Sequence, residues 1–319
     1  MIKWYYNEQN RIKKCINLLV HTNMEVNMKL VTATQEFDRK YGLKTAIKLI
    51  KDYGFDAYDC NLYEAMKKGK PFASDDYLKR AEEIREYADN LGISCVQAHA
   101  PLPNVKTIEG IKAAVEVHKK AIEISAVLGA EIIIIHPSSI TDAKGNYELL
   151  YSHLLPVAKK NNIKIAAENM FVRLDGALNI VPGACGTPED FVHYIDYISD
   201  PYFTACLDIG HTCLPHTRPA QEFIRALGNK RLGALHIHSN SGHDDQHAIP
   251  FYGKADWDEI CYELAKIDYQ GNFTLEAYKF LLSFPDELIP YAVNLLHKSA
   301  RLLMEKIEKY RTEIKNETC

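Results

Sequence analysis

The sequence predicts an α/β protein folded as a single (β/α)8 barrel, and three observations lead to this prediction. From Met28 onward, short apolar β-rich runs alternate with longer helical patterns, as is typical of a parallel sheet with helical crossovers. Eight such strand and helix pairs fit into the 319 residues, and one barrel domain often reaches about 250 residues or more. An open doubly wound sheet is the alternative fold, but neither G-x-G-x-x-G nor a P-loop follows the first strand.

The predicted strands are short apolar runs. They cover residues 29–33, 55–60, 93–98, 131–136, 163–168, 203–208, 232–238 and 272–277. The predicted helices lie between and after them, at residues 43–53, 74–91, 107–129, 145–161, 187–198, 219–228, 256–268 and 284–310. Two helix starts carry capping signals, Ser74 in the second helix and Thr187 followed by Pro188 in the fifth.

The domain organisation is predicted as a short extension followed by one barrel. Residues 28–319 form the barrel domain, because Met28 opens the strand-like run "MKLVTA". Residues 1–27 are assigned to an N-terminal extension. Its apolar run is too short for a membrane span or a secretory signal. We therefore expect no association with a membrane.

Composition excludes some classes of partner. A net charge of −4 and a pI near 6.4 make nucleic acid an unlikely partner by charge, since nonspecific binding requires a basic face. The eight cysteines contain no C-x-x-C pair, which predicts a reducing, cytoplasmic compartment. A homo-oligomer is compatible with the sequence, but no sequence pattern indicates where its interface would lie.

Metal-capable or acid–base side chains stand at the ends of six consecutive predicted strands. These side chains are His99, His136, Glu168, Asp208 with His211, His236 with His238, and Glu276. In a barrel, the carboxyl ends of the strands converge on one mouth. The pattern therefore predicts a single site to which several strands contribute.

Three of these groups are carboxylates, Glu168, Asp208 and Glu276, and burying them together is costly unless a cation compensates their charge. Three carboxylates with a histidine suit Mn²⁺, Mg²⁺, Co²⁺ or Zn²⁺. His236 and His238 face the same side of one strand, about 6.6 Å apart in height. We expect His238, nearer the mouth, to be the ligand and His236 to lie one layer deeper.

Seven stretches carry a resemblance to a known family. They are "QAHAPLPN", "IIIHPSS", "AAENMF", "CLDIGHT", "LHIHSNSGHDDQH", "YGKADWDE" and "FTLEAY", in this order between residues 97 and 278. In this ordered set the chain resembles the xylose-isomerase-like TIM-barrel superfamily. That superfamily holds sugar and sugar-phosphate isomerases and epimerases together with the endonuclease IV branch.

The resemblance implies two ligand sets. The epimerase-like members hold one divalent ion with residues that match Glu168, Asp208, His238 and Glu276, and their residue at the His211 position contacts substrate. The endonuclease-like members hold up to three zinc ions. Their further ligands match His99, His136, His211, Asp245 and His247. The chain departs from the family at Ser239 and Ser241, where an acid is common.

Three functions are weighed from the sequence. The first is a metal-dependent isomerase or epimerase of a sugar or sugar phosphate, in which Glu168 and Glu276 transfer protons around a metal-stabilised enediolate. The second is an endonuclease IV-like multi-zinc phosphodiester hydrolase. The third is a non-catalytic barrel that keeps its metal site.

Substrate contacts are expected from residues that directly follow the motifs, together with His211. They are Phe171, Arg173, Trp257 and Tyr278. The glycine-containing segment 173–186 is long enough to act as a lid over the site.

Overall fold

A computed structural model describes residues 28–103, 105–174 and 179–318. The predicted extension, residues 1–27, lies outside the described residues. The strands are β1 (Leu30–Ala33), β2 (Ala57–Asn61), β3 (Ser94–His99), β4 (Ile132–Ile134), β5 (Lys164–Glu168), β6 (Phe171–Arg173), β7 (Ile180–Pro182), β8 (Phe203–Asp208), β9 (Leu232–His236) and β10 (Phe273–Leu275).

Eight of these strands form one parallel sheet in the order β10-β1-β2-β3-β4-β5-β8-β9. The two ends of the sheet meet just beyond β9, where Ile237 bridges Leu275 in parallel register. Ile237 donates its N–H to the Thr274 carbonyl at 2.8 Å and accepts the Glu276 N–H at 3.0 Å. The sheet thus closes into a barrel, and the predicted (β/α)8 TIM-barrel fold is confirmed.

Helices follow the barrel strands and pack outside them. They are α1 (Gln35–Tyr41), α2 (Leu43–Asp52), α3 (Leu62–Ala65), α4 (Tyr77–Asn90), α5 (Ile108–Leu128), α6 (Ala143–Asn146), α7 (Ser152–Lys160), α8 (Pro188–Ile198), α9 (Ala220–Arg231), α10 (Trp257–Lys266), α11 (Tyr278–Leu282) and α12 (Ile289–Thr318). The short helices α1, α3 and α11 were not predicted, since four to seven residues are too few for a clear periodic pattern.

Two predicted helix starts have different outcomes. The Thr187 side chain accepts the Asp190 N–H at 3.1 Å, so the capped start of α8 is confirmed. Ser74 does not cap α4, which begins at Tyr77 after Asp76. The reason is a short 3-10 turn, Pro71–Ala73, which occupies the chain just before Ser74.

The segment expected to act as a lid begins as a β-hairpin. β6 and β7 pair antiparallel, with Phe171 opposite Pro182 and Arg173 opposite Ile180. Two hydrogen bonds anchor the base of the hairpin, because Met170 accepts the Gly183 N–H and donates to the Ala184 carbonyl. The sequence showed no alternation that would distinguish this pair from an irregular loop.

On β4, β5, β8 and β9 the lower part of the barrel interior is apolar. Five inward side chains form a separate buried cluster there, namely Ile132, Ile134, Ala166, Cys206 and Ala234. Side chains on a strand alternate between its two faces, so the inward positions two residues further along β4, β5, β8 and β9 lie at the mouth. Over the described residues, no helix is both long and apolar enough to cross a membrane.

Candidate active site at the barrel mouth

The barrel mouth brings together every strand-end group that the sequence singled out. A cavity of about 360 Å³ opens there, within the range of small-molecule sites. Its lining includes His99, His136, Glu168, His211, Asp245, His247 and Glu276. Asp208, His236 and His238 are fully buried beneath this surface.

One edge of the cluster consists of His99, His136 and Glu168. The Nε2 atoms of the two histidines lie 3.1 Å apart, and His136 Nε2 lies 3.0 Å from Glu168 Oε2. His99 turns its Nδ1 to the Ala100 carbonyl at 2.8 Å. Because Nδ1 is engaged there, the Nε2 atom of His99 is directed at the carboxylate, and the three groups form one potential ligand set.

The centre of the cluster is His236, whose Nδ1 lies among the three carboxylates. Its distances are 3.3 Å to Glu168 Oε2, 3.4 Å to Glu276 Oε2 and 3.9 Å to Asp208 Oδ2. The sequence prediction placed His238 in this position and His236 beneath it, and the geometry differs. The height of each histidine relative to the other strands depends on the stagger of the barrel, which one strand does not reveal.

His238 lies instead at the opposite edge, beside the loop that follows β9. Its Nε2 is 2.9 Å from Asp208 Oδ2 and 3.8 Å from Asp245 Oδ1. His247 stacks on the His238 ring at 4.2 Å, and its Nε2 lies 2.7 Å from Asp245 Oδ2. Gly210 makes room for this arrangement, since a Cβ there would lie 1.9 Å from the His238 ring.

His211 joins these two edges. It follows β8 in a short 3-10 turn, and its Nδ1 lies 2.7 Å from the Asn169 carbonyl. An N–H at Nδ1 donates to that carbonyl, so Nε2 is left as the atom that faces Asp208 and the cavity. Burial lowers the pKa of His211, but Asp208, Asp245 and Glu168 outweigh this effect and raise the pKa to about 9.

The carboxyl groups differ in their electrostatic surroundings. Burial raises the pKa of Glu276 well above its usual range, and Glu168 and Asp208 raise it further. Burial has the same effect on Glu168, but His236 and His136 outweigh it, so the pKa of Glu168 is lowered well below the usual value. Two glutamates at one site are thus driven in opposite directions by their neighbours.

The side chains at the mouth fit a divalent cation. Four of their buried polar atoms have no hydrogen-bond partner, namely both ring nitrogens of His236, His238 Nδ1 and Asp245 Oδ1. Such atoms are costly to bury, and a bound cation would satisfy those that face the carboxylates. Carboxylate oxygens with imidazole nitrogens suit Mn²⁺, Mg²⁺, Co²⁺ or Zn²⁺, as the sequence predicts.

The predicted substrate-contacting residues have different positions. Phe171 lines the cavity and meets the His211 ring edge-on at 4.9 Å, and Tyr278 lies 4.3 Å from the His247 ring. Arg173 lies outside the lining, over the Phe171 ring and paired with Asp244. Trp257 is not among the described residues that line the cavity. It is buried at the start of α10 and belongs to the main apolar core.

Several lining residues were missed by sequence reasoning. They are Gln35, Asn61, Tyr63, Leu102 and Met170. Asn61 had a detectable signal, because it is the polar residue at the end of β2, and the predicted strand stopped one residue earlier. The other four follow strand ends in loops or short helices, where no pattern in the sequence marks the direction of the side chain.

Two curated relatives match the chain over much of its length. The uncharacterized protein MJ1311 of Methanocaldococcus jannaschii is 29% identical over 248 residues, which cover 73% of this chain and 78% of that protein. The uncharacterized protein y4fM of Sinorhizobium fredii is 27% identical over 181 residues, covering 53% of this chain and 55% of that one.

Among solved structures, the fold is shared with sugar epimerases. A D-tagatose 3-epimerase-like protein matches with a TM-score of 0.66 at 21% identity, covering 88% of this chain and all of that one. D-psicose 3-epimerase matches with a TM-score of 0.67 at 15% identity, covering 87% of this chain and 99% of that one. The sequence family described as the xylose isomerase-like TIM barrel matches residues 47–298. The chain therefore belongs to the xylose isomerase-like TIM-barrel family.

Proposed function

We propose that this protein is a divalent-metal-dependent isomerase or epimerase of a sugar or sugar phosphate. One observation carries the proposal: two carboxylates from different strands, Glu168 and Glu276, lie 3.3 Å and 3.4 Å from the same buried nitrogen, His236 Nδ1, and both line a cavity of about 360 Å³. Membership of the family and the titles of the epimerases that share the fold support this choice.

The geometry supports a revised ligand set, in which Glu168, Asp208, His236 and Glu276 hold the cation and His238 does not belong to its first contacts. His236 replaces His238 because its Nδ1 lies within 4 Å of all three carboxylates. When bound, such a cation would stabilise negative charge that develops on a substrate oxygen.

Glu168 and Glu276 would transfer the protons. Glu168 ends β5 and Glu276 follows β10, and β8 and β9 lie between these strands in the barrel. The two carboxylates therefore reach the cavity from different directions. One of them can remove a proton from a substrate carbon while the other returns a proton to the opposite face, as inversion at that carbon requires.

Two further residues would position the substrate. His211 offers Nε2 to a substrate hydroxyl, because its Nδ1 is engaged with Asn169. Phe171 covers one side of the cavity with an apolar ring, next to His211. Such a wall shields the reacting carbon from water and leaves the hydroxyl-binding groups on the other sides.

The proposal is tested by measuring bound metal and proton exchange together. Metal-stripped protein is reloaded with Mn²⁺, Mg²⁺, Co²⁺ or Zn²⁺, and a panel of ketoses and sugar phosphates is incubated in D₂O. We expect exchange of one substrate C–H proton, and Glu276→Gln should reduce its rate by at least about 100-fold. Glu287→Gln on the exposed surface is the matched control. Full exchange in the Glu276 variant would refute its assigned role.

A second function is favoured by one specific observation. Two further potential ligand sets flank the centre, His99 with His136 and Glu168, and His238 with Asp245 and His247. Several neighbouring ion sites suit a phosphodiester hydrolase that activates water and stabilises the leaving oxygen. Three bound zinc ions, cleavage of abasic DNA and no C–H exchange in any sugar would replace the first proposal with this one.

We also propose a reducing, cytoplasmic environment for the protein. The described cysteines are free thiols, and Cys60, Cys95, Cys185, Cys206 and Cys261 are buried. Buried thiols of this kind act as small apolar side chains. The homo-oligomer stays a prediction from the sequence.

A further inference from the structure

A carboxylate lies deep in the barrel, one inward position below the mouth, and the functions discussed above do not use it. Asp59 on β2 is 1% exposed, and its Oδ1 has no hydrogen-bond partner. Ala57, two residues earlier on the same strand, belongs to a small buried apolar cluster with Val31 and Val96. An apolar residue would fill this position at lower cost, so packing does not explain the carboxylate.

The surroundings of Asp59 hold its carboxylate in one orientation. Gln97 on β3 donates from Nε2 to Asp59 Oδ2 at 3.2 Å. Thr274 on β10 donates its hydroxyl to Gln97 Oε1, also at 3.2 Å. Because a carboxylate oxygen accepts hydrogen bonds, the Gln97 amino group points to Asp59, and the Gln97 amide oxygen is left to accept from Thr274. The chain of three side chains ties three strands of the barrel together.

The oriented oxygen faces the central histidine. Asp59 Oδ2 lies 3.9 Å from His236 Nε2, too far for a direct hydrogen bond but close enough for its negative charge to act on this nitrogen. The other ring nitrogen, Nδ1, faces Glu168 and Glu276. Among the described residues, His236 is the one basic side chain recorded within 4 Å of this carboxylate. The His236 ring is fully buried and stacked on His99, with ring centroids 5.4 Å apart, so its two nitrogens cannot exchange places easily.

We propose that Asp59 is a positioning residue, which keeps the proton of His236 on Nε2 and so leaves Nδ1 free to bind a cation among Glu168, Asp208 and Glu276. Carboxylates that accept a hydrogen bond from a ligating histidine have this effect, and their loss weakens metal binding about 10- to 100-fold. Asp59 acts in the same direction through its charge at 3.9 Å. The inference rests on the proposed metal site, but it concerns a residue that no strand-end motif indicated.

The test uses the full chain, stripped of metal and titrated with Mn²⁺ by calorimetry. Asp59→Asn keeps the shape of the side chain but removes its charge, so we expect 10- to 100-fold weaker Mn²⁺ binding with unchanged stoichiometry. The ¹⁵N shifts of the His236 ring should also change toward the other tautomer. Thr274→Val, which releases Gln97, should weaken binding in the same direction by less than about 10-fold.

The matched control is Asp56→Asn, which removes a carboxylate at the other end of β2. Asp56 pairs with Arg301 and the Leu30 N–H, so its loss should lower the melting temperature without altering Mn²⁺ affinity. Equal Mn²⁺ affinity and an unchanged His236 tautomer in Asp59→Asn would overturn the positioning role alone. A wild type that binds no Mn²⁺ would overturn the role together with the metal site. Weaker Mn²⁺ binding in the variant, with no sugar exchange in the wild type, would support the role and refute the isomerase.

Discussion

Two layers of the barrel interior differ sharply, although the same strands build them. On β4, β5, β8 and β9 the inward side chains of the lower layer are apolar, and the next inward position on each strand is a histidine or a carboxylate. The lower set is Ile134, Ala166, Cys206 and Ala234, and the upper set is His136, Glu168, Asp208 and His236. One step of strand alternation thus separates the packed core from the chemistry.

The two layers contribute differently to stability. The lower layer gains from close packing and from the removal of apolar surface from water. The mouth instead buries carboxylates and histidines, and several of their polar atoms have no partner. Such a cluster costs stability in the absence of a ligand, which agrees with the proposed role of these residues in binding.

The largest expected effect comes from opening a cavity in the lower layer. Ile134→Ala removes three carbons from a fully buried side chain, and we expect the free energy of unfolding to fall by about 3 kcal/mol. Urea denaturation followed by circular dichroism measures this change. The Mn²⁺ stoichiometry of the folded variant should stay the same.

The control for this prediction is Ile140→Ala, because Ile140 is 48% exposed. Its truncation should change the free energy of unfolding by less than about 0.5 kcal/mol. If both variants lost equal stability, the lower layer would not be the apolar core that the comparison assumes.

A smaller effect is expected at a buried histidine outside the mouth. Burial lowers the pKa of His118 from 6.5 to about 4, while its Nε2 contacts the Pro101 carbonyl. The unfolded chain therefore takes up this proton at a higher pH than the folded protein does. The contribution of neutral His118 to the free energy of unfolding is therefore fully present above pH 6.5, and it is lost as the pH falls toward 4. His211 differs in sign, because its pKa is raised.

His118→Gln tests this sign. Between pH 6.5 and 4.5 the wild type should lose about 2 kcal/mol more of unfolding free energy than the variant does. The measurement is urea denaturation at several pH values, and His153→Gln on the surface of α7 serves as the control. Parallel losses in wild type and His118→Gln would contradict the prediction.

The smallest expected effect is a gain of stability at the mouth. Burial and the nearby Glu168 raise the pKa of Glu276 above its usual 4.5, so in metal-free protein this group opposes folding as the pH rises above 4.5. Glu276→Gln cannot ionise. At pH 8 the metal-stripped variant should be about 1 kcal/mol more stable than metal-stripped wild type.

Added Mn²⁺ should reverse this order, because the wild type gains binding energy that the variant lacks. Thermal melts with and without Mn²⁺ measure both halves of the prediction. A metal-free variant that is less stable than the wild type would show that Glu276 supports the fold, and the contrast between the two layers would then fail.

Much of the fold was predictable because it depends on local patterns. Each of the eight barrel strands was found within three residues of its bounds, since β-rich apolar runs and amphipathic helices differ in period. The hairpin of β6 and β7 was missed because three-residue strands carry no period. Ser74 was misplaced as a cap because the short turn at Pro71–Ala73 is set by packing against α4.

The residue types at the mouth could also be predicted from the sequence, since alternation along each strand places His136, Glu168 and Asp208 inward. The contacts between these side chains could not be predicted. His236, and not His238, lies within 4 Å of Glu168, Asp208 and Glu276 together. Asp59 faces His236 from another strand. These contacts depend on how each strand is staggered against its neighbours when the barrel closes, and hydrogen bonds between distant segments set that stagger. The sequence of a single strand does not indicate this stagger.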